Sequence, residues 1–140
     1  MEHEIHSFLR VLVVDGHEGV RDALLDHLSR RPLVGSVAAA GTLPAALAFL
    51  QEFRPDVMLC DPRTLKEKPA EIIGRLAQAP CPIIVLTSSL WDGEEIVYRN
   101  AGAAAVVLKG TDFGALLARF TPPTERMAPP ACFQLAAEPR

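Results

Sequence analysis

Cysteine is scarce in this 140-residue chain: Cys60, Cys81 and Cys132 are too few and too scattered to frame a disulfide scaffold. Their spacing fits no zinc pattern either. Basic charge is also short. Fourteen Lys and Arg stand against seventeen Asp and Glu, a net charge of −3 and a pI near 5.8. A protein built to grip a phosphate backbone carries the opposite excess, so direct DNA binding is disfavoured. The opening MEHEIHSFLR puts acids and histidines where a signal peptide has a basic segment and an apolar run. Residues 32–51 carry no charge, but Gly35, Ser36, Gly41, Thr42 and Pro44 interrupt them, which argues against a membrane span. The expected compartment is the cytoplasm.

What the chain does have is an ordinary globular mix, 49% hydrophobic and 22% charged, of a size for one compact domain. Short apolar runs recur at even intervals: Val11–Val14, Ser36–Ala40, Val57–Cys60, Ile83–Leu86 and Ala105–Leu108. Each is apolar at both parities, the pattern of a parallel strand buried on both faces. Helical spacing fills the gaps. Val20, Leu24 and Leu28 share a face, as do Leu43, Leu47 and Leu50, and Phe113, Leu116, Leu117 and Phe120. Ile72, Ile73 and Leu76 form a shorter stripe, and Ile96, Val97 and Ala101 another. Thr42 before Pro44, and Thr111 before Asp112, mark helix starts. Five strands alternating with five helices predict an α/β fold, a doubly wound parallel sheet with helices on both faces. Residues 121–140 hold five of the twelve prolines and show no period. The expected division is a domain over 1–120 and a proline-rich flexible tail over 121–140.

Ligands of such sheets bind beyond the carboxyl ends of the strands, where strand order reverses. Asp15, Asp61, Thr87 and Lys109 stand at the ends of strands one, three, four and five. Two carboxylates, a hydroxyl and an ammonium would thus converge on one rim. Singly each has an ordinary explanation: a helix cap, a local backbone bond, a solvated lysine. The loop Asp15-Gly-His-Glu-Gly19 lacks the glycine-rich cradle of nucleotide sites, which disfavours a nucleotide-binding enzyme.

Four stretches in order carry a resemblance: Val11-Leu-Val-Val-Asp-Gly-His-Glu-Gly-Val-Arg21, Arg54-Pro-Asp-Val-Met-Leu-Cys-Asp61, Ile83-Ile-Val-Leu-Thr-Ser88 and Ala101-Gly-Ala-Ala-Ala-Val-Val-Leu-Lys109. Over about residues 8 to 120 the chain resembles the receiver domain of bacterial two-component response regulators. The resemblance implies a flavodoxin-like fold with strand order 2-1-3-4-5. It implies that Asp61 accepts a phosphoryl group from a histidine kinase or phosphotransfer protein, so that the domain is a phosphoacceptor rather than an enzyme. It assigns Thr87 to the hydroxyl that bonds the phosphoryl oxygen, and Lys109 to the lysine that pairs with the acyl phosphate. Asp15, Asp61 and the main-chain carbonyl of Arg63 match the ligands of Mg²⁺, a hard cation suited to oxygen donors.

The chain also departs from that pattern. Gly16 stands where receivers carry a second acid, which predicts weak Mg²⁺ binding; Glu18 is close enough to substitute through water, or else faces solvent. The run Asp15-Gly-His followed by Val-Arg21 most resembles one subgroup of receivers, in which His17 matches an ordinary loop residue; His3 and His6 need no ligand role. Val106 replaces the Tyr or Phe whose ring turns inward on phosphorylation. Leu65 and Pro69 stand where a proline and a glycine are usual. Trp91 and Asp92 lie in the loop after strand four, where Trp91 either serves a partner surface or packs on the sheet edge. The function expected is a stand-alone, atypical receiver in phosphorelay signalling that acts through protein contacts with an unknown output protein, or with a second copy as a homodimer. The alternative is a pseudo-receiver that never carries phosphate and acts as a constitutive interaction module. Retained Asp15, Asp61, Thr87 and Lys109 favour the first, Gly16 and Val106 the second.

Overall fold

A computed structural model describes residues 8–110, 116–117 and 133–136. Strand β1 (Leu9–Val14) leads into helix α1 (Glu18–Ser29), followed by β2 (Val34–Ala40), α2 (Leu43–Glu52) and β3 (Val57–Cys60). A 3-10 turn (Pro62–Thr64) precedes α3 (Pro69–Leu76); then come β4 (Ile83–Thr87), α4 (Glu94–Ala101), β5 (Ala105–Leu108) and β6 (Phe133–Ala136). All pairings are parallel, in the order β5-β4-β3-β1-β2-β6. The five strands read from the sequence are therefore present in the expected order 2-1-3-4-5. The sheet also has a sixth strand from the segment read as a tail. Phe133–Ala136 pairs with Ser36–Ala39 along the outer side of β2. Four residues flanked by prolines are too short a run to show a period.

Alternation along the strands divides the core in two. Leu12, Val14, Met58, Cys60, Ile83 and Val85 face α2, α3 and α4, meeting Leu43, Ala46, Ile72, Ile73 and Leu76. Val11, Val13, Val57, Leu59, Ile84 and Leu86 face the other way, onto Leu25 and Leu28 of α1 and onto Leu116 and Leu117. Each large aliphatic side chain so withdrawn from water contributes about 1.5–3 kcal/mol. Burial on both faces is why these strands read as continuous apolar runs. Of the helix expected over 113–120, Leu116 and Leu117 are helical and buried. Its other residues, and the start expected at Thr111 and Asp112, lie outside the described residues.

Helix ends follow local chemistry. Thr42 caps α2, its hydroxyl accepting the Ala45 N–H at 3.2 Å, with Pro44 in the first turn. Gly102 closes α4 at φ 126°, and a Cβ there would stand 2.5 Å from that of Ala77. Glycine is thus required both for the turn and for the approach of α4 to α3. The apolar stripe expected on α4 is not its buried face. Ile96 and Val97 are 62% and 40% exposed, whereas Glu94 and Tyr98, four residues apart, are the buried pair. Apolar spacing misses this face because one of its two members is a carboxylate.

Candidate functional site

The chain runs outward from β1 to β2 and then returns to the other side of β1 with β3, so strand order reverses between β1 and β3. The carboxyl ends of those two strands carry Asp15 and Asp61. Both are pinned by the sheet: Asp15 N–H donates to the Ala40 carbonyl at 3.0 Å, and Asp61 N–H to that of Val14 at 2.9 Å. Their carboxylates also hold the turns that follow. Asp15 Oδ1 accepts the His17 N–H at 2.8 Å and Asp61 Oδ1 accepts the Arg63 N–H at 3.2 Å. Pro62 favours extended geometry at Asp61, which adopts φ −103° and ψ 94°.

Their second oxygens converge on one cation. Lys109, just past β5, places Nζ 2.6 Å from Asp61 Oδ2 and 3.1 Å from Asp15 Oδ2. Its own N–H donates to the Thr87 carbonyl at 2.8 Å, which registers the end of β5 against β4. Burial works against the Lys109 ammonium, but the hydrogen bonds and charges of Asp61 and Asp15 outweigh it and hold its pKa above the usual lysine range. Asp15, Asp61 and Thr87 are at most 5% exposed. The Thr87 hydroxyl donates to the Ser89 carbonyl at 3.0 Å. The four rim residues expected from sequence thus meet at one end of the sheet, two carboxylates sharing one ammonium. A groove of about 780 Å³ between the α2 N-terminus and the loop after β3 contains none of the four.

Gly16 is closed rather than open. Its N–H donates to Thr64 Oγ1 at 2.7 Å, and that hydroxyl donates to the Asp61 carbonyl at 2.7 Å. A Cβ at position 16 would stand 2.0 Å from the Thr64 carbonyl oxygen. The loop after β3 therefore occupies the space of a side chain. Glu18 and His17 are exposed at the start of α1. Among the described residues no group of three or more His, Cys, Asp or Glu gathers to hold a metal. Two carboxylates do gather, and Mg²⁺ is commonly bound through one or two with water completing its shell, so the pair fits such a cation.

Three further polar residues had no role assigned from the sequence. Arg21, buried on α1, donates from Nη1 to the Asp15 carbonyl at 2.9 Å, and a Cβ on Gly41 would stand 2.5 Å from the same nitrogen. Glu94 is buried, with Arg63, Tyr98 and the Trp91 N–H as partners. Burial raises the Glu94 pKa, but those three partners prevail and hold it below the usual carboxylate range. Burial and the Glu94 charge push Tyr98 up to about 12. Arg21 belongs to the stretch Val11–Arg21 that carries the family resemblance; nothing in the sequence marks Glu94 as buried. Trp91 is exposed, with Leu90 beside it.

A parallel α/β sheet with an acidic, lysine-bridged pocket at its topological switch defines a class of protein. The family model of the response regulator receiver domain matches residues 11–121. The DNA-binding transcriptional activator DevR/DosR of Mycobacterium tuberculosis is 32% identical over 105 residues, covering 72% of this chain and 48% of that protein. A protein-glutamate methylesterase/protein-glutamine glutaminase of Bradyrhizobium diazoefficiens is 31% identical over 104 residues, 72% of this chain and 29% of that one. The chain therefore spans half or less of the length of these relatives. Among solved structures, a LuxR-family two-component response regulator from Aurantimonas superposes with a TM-score of 0.70 at 24% identity, covering 85% of this chain and 91% of that one. The response regulator domain of Thermotoga maritima CheB gives 0.65 at 24%, covering 80% and 89%. The chain belongs to the response regulator receiver domain family, whose role is phosphorelay signal transduction. Receivers are generally phosphoacceptors rather than catalysts, typically bind Mg²⁺ at the phosphorylation site, and interact with histidine kinases and output domains. No helix among the described residues is long and apolar enough to cross a membrane.

Proposed function

We propose that Asp61 is the phosphoacceptor of this receiver. The observation that carries the proposal is the Lys109 ammonium, which bonds Asp61 Oδ2 and Asp15 Oδ2 at one rim. An Asp61 carboxylate oxygen attacks the phosphorus of a phosphohistidine; the O–P bond forms, the P–N bond breaks, and its electron pair returns to the imidazole. Such transfer depends on positioning and on neutralising spreading negative charge. Lys109 supplies a fixed positive charge beside the attacking carboxylate. Thr87 releases its bond to Ser89 and donates instead to a phosphoryl oxygen. Asp15, Asp61 and the Arg63 carbonyl would hold Mg²⁺, which offsets the charge of the incoming group; with Gly16 beside them, that site is weak. Partners are then a histidine kinase or phosphotransfer protein in the cytoplasm, and an output protein or a second copy that reads the altered surface without direct DNA contact.

Intact mass after incubation with acetyl phosphate and Mg²⁺ tests this. One phosphoryl group should add to the wild type and none to Asp61→Asn. Addition that persists in the Asn variant refutes the assignment. Gly16 favours a second reading, a pseudo-receiver acting as a constitutive interaction module, because Thr64 fills the space of the missing acid. A wild type that takes no phosphoryl group supports that reading instead.

A further inference from the structure

Arg63 stands two residues beyond Asp61, and its side chain reaches across the rim to the loop after β4. Its guanidinium donates to Ser89 Oγ at 3.3 Å and forms an ion pair with Glu94 Oε1. Glu94 opens α4 and is 2% exposed. Its Oε1 also accepts the Trp91 N–H at 3.1 Å, and Oε2 accepts the Tyr98 hydroxyl at 2.8 Å. One buried carboxylate therefore ties the loop after β3, the loop after β4 and the first two turns of α4. Such a pair is costly to break from one side, because the carboxylate left behind stays desolvated without its cation.

The same residue is tied to the phosphoacceptor through its backbone, and its guanidinium to the loop that follows Thr87. The Arg63 main-chain N–H donates to Asp61 Oδ1, and Ser89, whose hydroxyl bonds the Arg63 side chain, accepts the Thr87 hydroxyl on its carbonyl. Lys109 is already shared between Asp15 and Asp61, and Arg21 is held on the Asp15 carbonyl. Arg63 is the rim cation whose charge partner lies outside the rim. A phosphoryl group carries about two negative charges at neutral pH. Its oxygens match the planar fork of a guanidinium better than one carboxylate oxygen does.

We infer that Arg63 is a charge exchanger: on phosphorylation of Asp61 its guanidinium leaves Glu94 for the phosphoryl oxygens, and Glu94, buried without a cation, drives the first turn of α4 outward. Glu94 and Tyr98 thereby deliver to α4 a signal that Val106, a stiff β-branched side chain, has no second position to deliver. The inference rests on Asp61 as phosphoacceptor. Arg63 and Glu94 act as positioning residues for α4, since the transferred group is received by Asp61.

Hydrogen exchange of peptides covering residues 90–101, read beside the intact mass of the same samples, separates the two claims. In the wild type, phosphorylation should speed exchange of the 94–98 amides by tenfold or more. Glu94→Gln keeps the shape and an acceptor for Tyr98 but removes the charge. It should take up one phosphoryl group, exchange faster before phosphorylation, and change less than twofold on receiving it. Arg63→Gln, altered on the more exposed side of the pair, should show the same exchange pattern. The double variant should be no faster than either single one, since both remove one interaction. Should Glu94→Gln fail to fold, Arg63→Gln decides by the same comparison. A wild-type-sized response in a phosphorylated variant overturns the exchanger and leaves the Asp61 assignment standing. A wild type that takes no phosphoryl group overturns both, and the mass shows which case holds.

Discussion

Replacing Gly16 by alanine adds one methyl group at the tightest point of the rim, and its cost follows from the neighbours. The new Cβ would lie 2.0 Å from the Thr64 carbonyl oxygen, where an ordinary contact begins near 3.4 Å. The obstacle is backbone, so no rotamer change relieves it. Either β1 or the turn after Asp61 must shift, and inserting a methyl into a packed site costs about 1–3 kcal/mol. The shift strains the Gly16 N–H bond to Thr64 Oγ1, a net loss of about 1 kcal/mol if broken. Against this, alanine restricts the unfolded chain and returns about 0.4–1 kcal/mol. The expected net destabilisation is about 1–3 kcal/mol, or a fall in Tm of roughly 3–12 °C.

Gly19→Ala is the matched control. Nothing lies within 4 Å of a Cβ at position 19, in the first turn of α1. There the same substitution should stabilise by about 0.5 kcal/mol. Thermal unfolding followed by circular dichroism and by urea titration of Trp91 fluorescence measures both. Opposite signs are required. A Gly16→Ala protein as stable as the wild type would show that the loop after β3 yields freely, and the interlock with Thr64 would have no energetic content.

Tyr98 is the sole tyrosine, so tyrosinate absorbance reports it alone; its midpoint should lie near 12 in the folded chain against about 10 after unfolding. Because the folded pKa is the higher, this group's contribution to stability is complete below pH 10 and is lost as pH rises toward 12. Burial pushes Cys81 up to about 12, and burial with the charges of Asp61 and Asp15 pushes Cys60 higher still. Iodoacetamide at pH 8 should therefore spare both thiols in the native protein and label both in urea, by peptide mass; native labelling of Cys60 would contradict its burial. Lys109→Met leaves two buried carboxylates without their shared cation, so uptake of phosphoryl groups from acetyl phosphate should slow by about 10²-fold. An unchanged rate by intact mass would remove Lys109 from the chemistry.

The five strands β1 to β5 were legible because burial on both faces writes itself as unbroken apolar sequence. The rim was legible for a related reason: a polar residue ending such a run has one place to go. Asp15, Asp61, Thr87 and Lys109 needed no knowledge of the loops. What escaped depends on partners distant in sequence. Glu94 reads as an acid at a helix start, and its burial follows from Arg63, 31 residues earlier. The buried face of α4 is hidden for the same reason, since spacing counts apolar residues and the buried pair is a carboxylate and a phenol. Strand β6 is too short to be periodic and owes its form to the edge of β2. That Thr64 occupies the space beside Gly16 is a property of the loop alone.

The pairing of β6 with β2 also sets an order of events during synthesis. About a hundred residues separate the two strands in the chain. At ribosomal rates of about 5–20 residues per second, β2 waits some 5–20 seconds for its outer neighbour to be made. During that interval the seven residues Val34–Ala40, small and apolar, present one side of unpaired amides and carbonyls to whatever else is unfolded nearby. A strand made about a hundred residues later is thus the one that covers the outer side of β2. Nascent chains stalled before residue 133 leave the outer side of β2 unpaired.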